Sequence, residues 1–281
     1  MRSLWAPVLA CLALLAGEGA GPAAAEDLPV DVELVLAVDI SWSMNAEEQE
    51  IQRQGYVAAW RSKEVQDAIA RGAYGRIAAT YVEWAGDLSQ TVVVPWTLID
   101  GRESADRFAY LLSTAEPDRQ RRTSISAAID FSARLFDANG YSGDRRVIDV
   151  SGDGANNQGR PVTEARDAAV RADITINGLP LMTQGQGDEL YSWGSMPDLD
   201  RYYAYCVIGG PGAFLIPVTS WEQFPDAIRR KLVLELANHV PPRAPERAKI
   251  IRIAAGAPAV PANCLSGERM WRVAPDSGGV N

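Results

Sequence analysis

A chain of 281 residues, 47% of them apolar, is long enough for one large domain or two small ones. Its 36 acids outnumber 27 lysines and arginines and give a net charge of −9, which argues against nucleic acid and anionic lipid surfaces as partners. After the N-terminal leader, no stretch approaches the roughly 20 apolar residues of a membrane span.

Residues 1–25 have the organisation of an export signal peptide. Arg2 is a short positive region, residues 4–16 are an apolar run, and Ala23-Ala24-Ala25 offers a cleavage site before Glu26. Cleavage removes Arg2 and Glu18 together, so the charge stays at −9. The mature chain then keeps two cysteines, Cys206 and Cys264. An oxidising compartment permits a disulfide between them; two separately buried thiols fit the sequence equally well, because spacing does not show proximity.

The first element of the mature chain is the run Val32-Glu33-Leu34-Val35-Leu36-Ala37-Val38. It has the apolar content of a strand buried on both faces, as in a parallel sheet covered by helices. The run ends in Asp39, and Ser41 and Ser43 follow at alternate positions before a polar helix start at residues 45–54. One carboxylate and two hydroxyls therefore stand at the carboxyl end of a central strand, the edge where open α/β sheets build their sites. Such oxygen donors suit Mg²⁺ or Ca²⁺ and suit zinc poorly.

Residues 45–70 carry Ile51, Gly55, Ala58, Val65 and Ile69 at helical spacing, with a break near Arg61-Ser62. Strands are expected at residues 76–84 and 90–96; the short turn at Gly86-Asp87 makes them an antiparallel hairpin. A short helix at 104–112 precedes RRTSIS (121–126), which leads into a helix burying Ile125, Ala128, Ile129, Leu135 and Phe136. RRVIDVS (145–151) is a further strand and runs into Gly152-Asp153-Gly154. A helix at 163–172 and a strand at 174–179 follow. The alternation predicts a doubly wound α/β fold: a mostly parallel six-stranded sheet with one antiparallel edge strand and helices on both faces.

Residues 180–211 are too long for an ordinary connection and read as an insertion, with a short helix at 199–206 capped by Asp198. Its Tyr191, Trp193, Tyr202, Tyr203 and Tyr205 are candidates for an exposed recognition surface. Residues 213–218 read as the last strand. Phe224, Ile228, Leu232 and Leu236 define a closing helix whose first turn holds Pro225. Beyond the domain at 26–238, prolines at 241, 242, 245, 258 and 261 mark residues 239–281 as a tail, extended or disordered in part, which Cys264 could pin back.

The D-x-S-x-S of Asp39, Ser41 and Ser43 after an apolar strand resembles the metal-ion-dependent adhesion site of von Willebrand factor type A (VWA) domains. In that resemblance Thr123, in the loop before a sheet-packing helix, and Asp153, after a later central strand, complete the ligand set. The wording EWAG, SGDGANNQG, TINGLP and YCVIGGPGAF is similar to DUF1194, a bacterial family of exported VWA-like proteins of unknown function. Chemically, two carboxylates balance a divalent cation while three hydroxyls fill positions without adding charge, leaving room for one more oxygen from water or a partner's carboxylate.

Each of these residues also has an ordinary reading. Ser41, Ser43, Thr123 and Ser124 are good helix caps, and Asp153-Gly154 is a good turn. In the polar loop GDGANNQGR (152–160), Asn156, Asn157 and Gln158 are candidates for reading a ligand beside the metal. The loop is not an EF-hand, since Ala155 and Gln158 occupy places that need an oxygen ligand and a glycine. The only histidine, His239, has no nucleophile motif beside it, and Trp84 and Trp96 read as packing residues. The leading expectation is an exported, non-enzymatic binding module, periplasmic or secreted, that presents Mg²⁺ (or Mn²⁺ or Ca²⁺) to an acidic group of a protein partner. A metal-dependent phosphoester hydrolase, with Asp39 or Asp153 as base, and a metal-free scaffold are the alternatives.

Overall fold

The computed structural model describes residues 26–183, 196, 198–237, 251–252 and 263–273. The leader, Tyr191, Trp193 and His239 lie outside the described residues. The first half of the chain gives β1 (Leu28–Val30), β2 (Glu33–Asp39), α1 (Ala46–Arg61), α2 (Lys63–Ala70), β3 (Ile77–Trp84), β4 (Gln90–Ile99) and α3 (Arg102–Ser113). The second gives α4 (Ile125–Arg134), β5 (Tyr141–Gly143), β6 (Arg146–Gly152), α5 (Val162–Arg171), β7 (Ile174–Pro180), α6 (Leu199–Tyr202), β8 (Phe214–Leu215) and α7 (Phe224–Leu236). Two pieces of the C-terminal region, β9 (Ile251–Arg252) and α8 (Ser266–Val273), complete it.

The main sheet runs β4-β3-β2-β6-β7-β8-β9. Strands β3, β2, β6, β7 and β8 are parallel, and β4 pairs antiparallel with β3 at one edge. The expected six-stranded sheet is thus present, and β9 extends it antiparallel to β8. A separate parallel pair joins β1 to β5.

Strand β2 is central and buried over its whole length. Because side chains alternate across a strand, its residues divide between two cores. Leu34, Leu36 and Val38 face Tyr56, Trp60, Phe108 and Phe224, from α1, α3 and α7. Val35 and Ala37 face Ile125, Ile129 and Val162, from α4 and α5. Asp39 continues the second row, so the strand's parity aims it to the side on which α4 begins. On the first side α1 approaches α7 closely: a Cβ at Gly55 would stand 2.6 Å from the Phe224 ring. Trp84 is fully buried and Trp96 donates to Leu135 O, so both are packing residues.

A buried ion network lies on the first side of the sheet, under α7. Lys231 of α7 is buried between Asp149 of β6, at 2.6 Å, and Glu235. Asn177 donates to Glu235 Oε1 and accepts from Phe214 N. Burial first, and then Asp149, pushes Glu235 up to about 7.

Several expectations fail here for identifiable reasons. Tyr202 and Tyr203 are fully buried rather than exposed, since a π-helical turn (Tyr203–Val207) after α6 folds them onto the second core. Asp198 precedes α6 but has φ of 63° and makes no capping hydrogen bond. The last strand shrinks to β8, with an isolated bridge from Val218 to Leu181. Within residues 239–281 the described pieces are β9 and α8. Cys206 and Cys264 form a disulfide that closes 58 residues, roughly a 4 kcal/mol constraint on the unfolded chain by loop entropy. Beyond it α8 docks, with Glu268 accepting from Asn156 Nδ2 at 2.9 Å.

Candidate metal centre

At the carboxyl end of β2 the chain turns sharply, and Ser41 N donates back to Asp39 Oδ1 at 2.7 Å. Ser41 Oγ and Ser43 Oγ share a hydrogen bond at 2.8 Å, and Ser43 Oγ donates to Asp153 Oδ1 at 2.7 Å. Four of the five residues singled out in the sequence, Asp39, Ser41, Ser43 and Asp153, therefore form one continuous array that joins two distant loops. Buried glutamines of α1 hold its base: Gln52 Nε2 donates to Asp39 O and Gln49 Nε2 to Ile40 O.

Thr123 arrives on a loop that the backbone ties to this turn. Gln120 N donates to Ile40 O and Trp42 N to Gln120 O, a short parallel bridge. Thr123 itself is buried, and its backbone pairs in both directions with Asn157, through Asn157 Oδ1 at 3.0 Å and Asn157 N at 2.8 Å. The structure thus places Thr123 between the Asp39 turn and the loop that follows Asp153.

The ordinary readings of these side chains are taken by their neighbours. The N-cap of α1 is Asn45, in a reciprocal capping box with Glu48, so neither Ser41 nor Ser43 caps it. The N-cap of α4 is Ser124, which accepts from Ala127 N, so Thr123 does not cap it. Helix capping therefore leaves the three hydroxyls beside the carboxylates unexplained.

The electrostatics favour a cation. Asp39 and Asp153 are both buried, 0% and 2% exposed. Burial, and then the charge of Asp153, raises Asp39 well above the usual carboxylate range. Burial also raises Asp153 to about 6, against the hydrogen bond from Ser43, with Glu48 adding to the rise. Asp39 Oδ2 is buried with no hydrogen-bond partner. Two repelling carboxylates, one with an orphaned oxygen, beside uncharged hydroxyls make a donor set that fits a hard divalent cation.

The amides of the polar loop after Asp153 are engaged within the fold to different degrees. Asn156 is fully buried: its Oδ1 accepts from Ser126 N, and its Nδ2 donates to Arg160 O and Glu268 Oε1. Its amide is consumed in holding α4 and α8, so it cannot read a ligand. Asn157 positions Thr123, and Gln158 Oε1 accepts from Asp87 N at 3.3 Å.

The sequence offers Tyr203 only as an exposed recognition residue; the fold instead buries it at the site. Its hydroxyl is buried without a hydrogen-bond partner, and burial first, then the charges of Asp39 and Asp153, raise its pKa. A Cβ at Gly152 would stand 2.9 Å from Tyr203 Oη and 3.0 Å from Asp39 Oδ2. Gly152→Ala should therefore displace Asp39, costing about 1–3 kcal/mol as overpacking does and removing any response to divalent cations. Urea unfolding with and without cation checks this, and adding Tyr203→Phe should recover part of the stability.

Comparisons agree with this architecture. Residues 29–240 match the family described as "Protein of unknown function (DUF1194)". No curated protein matches the chain. Among solved structures, proximal thread matrix protein 1 from the mussel byssus, with a zinc-occupied MIDAS motif, is similar over 75% of this chain and 49% of its own, at 15% identity and TM-score 0.54. The pilus adhesin SpaC from Lactobacillus rhamnosus GG is similar over 75% of this chain and 32% of its own, at 12% identity and TM-score 0.51. This chain thus spans about half the length of the mussel protein or less of the adhesin, and the likeness is one of fold.

Proposed function

Because the chain belongs to the DUF1194 family, whose description assigns no activity, we propose its function from the site: an exported module that holds a divalent cation at the carboxyl edge of a VWA-like sheet. The observation that carries the reading is the array Asp39–Ser41–Ser43–Asp153, with two buried carboxylates and an unpartnered Asp39 Oδ2. Asp39, Ser41, Ser43, Thr123 and Asp153 would hold the ion, Mg²⁺ first, with Mn²⁺ and Ca²⁺ as the other candidates. When bound, the ion would supply an electrophilic position that accepts a carboxylate of a protein partner. Asp39 and Asp153 would give up their raised pKa values and become fully ionised, and the hydroxyls would add oxygen without adding charge. The mussel neighbour's metal-occupied motif supports the assignment of the site, and the adhesin neighbour supports a binding role rather than catalysis.

Export is supported by the Cys206–Cys264 disulfide, which belongs in an oxidising compartment. Among the described residues no helix is long and apolar enough to cross a membrane.

The test is thermal unfolding in EDTA and in Mg²⁺, Mn²⁺ and Ca²⁺. A ligand of the native state at about 100 times its dissociation constant stabilises by ~2.7 kcal/mol, a clear rise in midpoint for at least one ion. Identical midpoints in all four conditions at millimolar concentration would reject the reading.

A further inference from the structure

Trp42 stands between the two site serines in sequence and is 51% exposed, although the turn that carries it is otherwise buried or half-buried. It forms one wall of a cleft of about 430 Å³ that also takes in Leu88, Arg121, Arg122 and Gln158. Leu88, at the tip of the β3–β4 turn, is 93% exposed. Two large apolar side chains thus face solvent beside the proposed cation, where nothing in the fold requires them.

The charge of this cleft is opposite to that of the molecule. The chain carries −9 overall, yet one loop brings Arg119, Arg121 and Arg122 to this side, and the last two line the cleft. Arg119 Nη2 donates to the carbonyls of Trp42 and Met44, at 3.1 and 2.6 Å, which fixes the loop against the metal turn. The Arg121 guanidinium lies 4.5 Å from the centre of the Trp42 ring. Against these, Asp87 is the one acid in the lining. Arg122 has φ of 75°, a left-handed conformation that costs a non-glycine residue energy. That strain is kept immediately before Thr123.

We infer that this cleft is the specificity surface of the site, and that it takes a protein segment in which an acidic residue is followed or preceded by a large apolar one. The inference rests on the cation reading above and names the partner for it: one carboxylate for the ion, a second anionic group for Arg121, and an apolar side chain between Trp42 and Leu88. Arginine matches a carboxylate as a planar fork, and it keeps that capacity while stacked on an indole. A sugar platform is the poorer fit, because Arg121 already covers one face of the Trp42 ring.

The experiment pans a displayed library of random dodecapeptides against the full chain in Mg²⁺, with an array of acidic oligosaccharides alongside. Peptides pairing Asp or Glu with a large apolar residue should be enriched. Synthetic copies should bind Arg121→Ala and Leu88→Ser at least tenfold more weakly than wild type. The thermal response to cation, recorded for each variant, separates the cleft from the metal site. Enriched peptides that lack acids, or that bind both variants as tightly as wild type while the cation response persists, overturn the cleft and leave the metal reading standing. Binding to oligosaccharides with no peptide enrichment also overturns it. If wild type shows no cation response, acidic peptides that still depend on Arg121 and Leu88 in EDTA uphold the cleft alone, and no enrichment removes both proposals.

Discussion

Lys231→Met should cost the fold about 3–5 kcal/mol, the range for removing one partner of a buried ion pair. Lys231 is fully buried and is the cation that neutralises Asp149 and Glu235, themselves buried on β6 and α7. Methionine fills similar volume, so the loss would come from two carboxylates left facing one another in an apolar core. The cost should depend on pH with a defined sign. Glu235 in the fold is raised from 4.5 to about 7, by burial and then by Asp149. A raised carboxyl favours the folded state below its unfolded pKa, and that contribution is lost as pH rises from about 4.5 through 7. The variant should therefore be weakest at pH 8 and recover on acidification by more than wild type does. Urea unfolding at pH 5 and pH 8 measures both effects. Adding Asp149→Asn and Glu235→Gln to Lys231→Met should return most of the stability at pH 8.

Asp39→Asn should produce two changes of opposite sign. In chelator at pH 8 the variant should unfold at a higher midpoint than wild type, because it no longer ionises a buried group next to Asp153. The amide can still accept from Ser41 N as Asp39 Oδ1 does, and its Nδ2 would meet the Tyr203 hydroxyl side of the site. With cation the order should reverse, since the wild-type gain of ~2.7 kcal/mol at about 100 times the dissociation constant is absent from the variant. Asp153 sets the pH window in chelator. Its rise from 3.8 to about 6 is worth roughly 3 kcal/mol, favouring the fold below pH 4 and lost as pH climbs through 6. A mutation that stabilises the metal-free protein and abolishes its response to metal is the mark of a binding site rather than of a structural carboxylate.

The parts of this account that were legible in the sequence are those governed by local periodicity. The run from Val32 to Val38 has the apolar content of a strand covered on both faces, which β2 is, and its abrupt end at Asp39 marks the carboxyl edge of the sheet. The spacing of Phe224, Ile228, Leu232 and Leu236 gave α7 directly. The hydroxyls were ambiguous as long as they could be helix caps; it took the positions of Asn45 and Ser124 to show that capping belongs to their neighbours.

What the sequence hid depends on contacts between distant segments. Asn156 looked like a recognition residue because its loop is polar, yet Ser126, Arg160 and Glu268 consume its side chain. Tyr203 lay in a stretch with no periodicity, and only the fold of that stretch brings its hydroxyl to Asp39 and Gly152. The prolines after α7 carried no sign of the disulfide that anchors α8. The polar row inside the core was equally hidden, since Lys231 and Glu235 sit one helical turn apart on what reads as an ordinary amphipathic helix.

The central claim is that Asp39 and Asp153 hold one divalent cation between them. Titration of the full chain with Mn²⁺, followed by the electron paramagnetic resonance of the free ion, tests it most directly. The account predicts that the free-ion signal is suppressed until about one equivalent has been added to wild type, that Mg²⁺ restores it by competition, and that Asp39→Ala and Asp153→Ala leave it undiminished. A signal that rises from the first addition in wild type, or is suppressed equally in wild type and both variants, would contradict it.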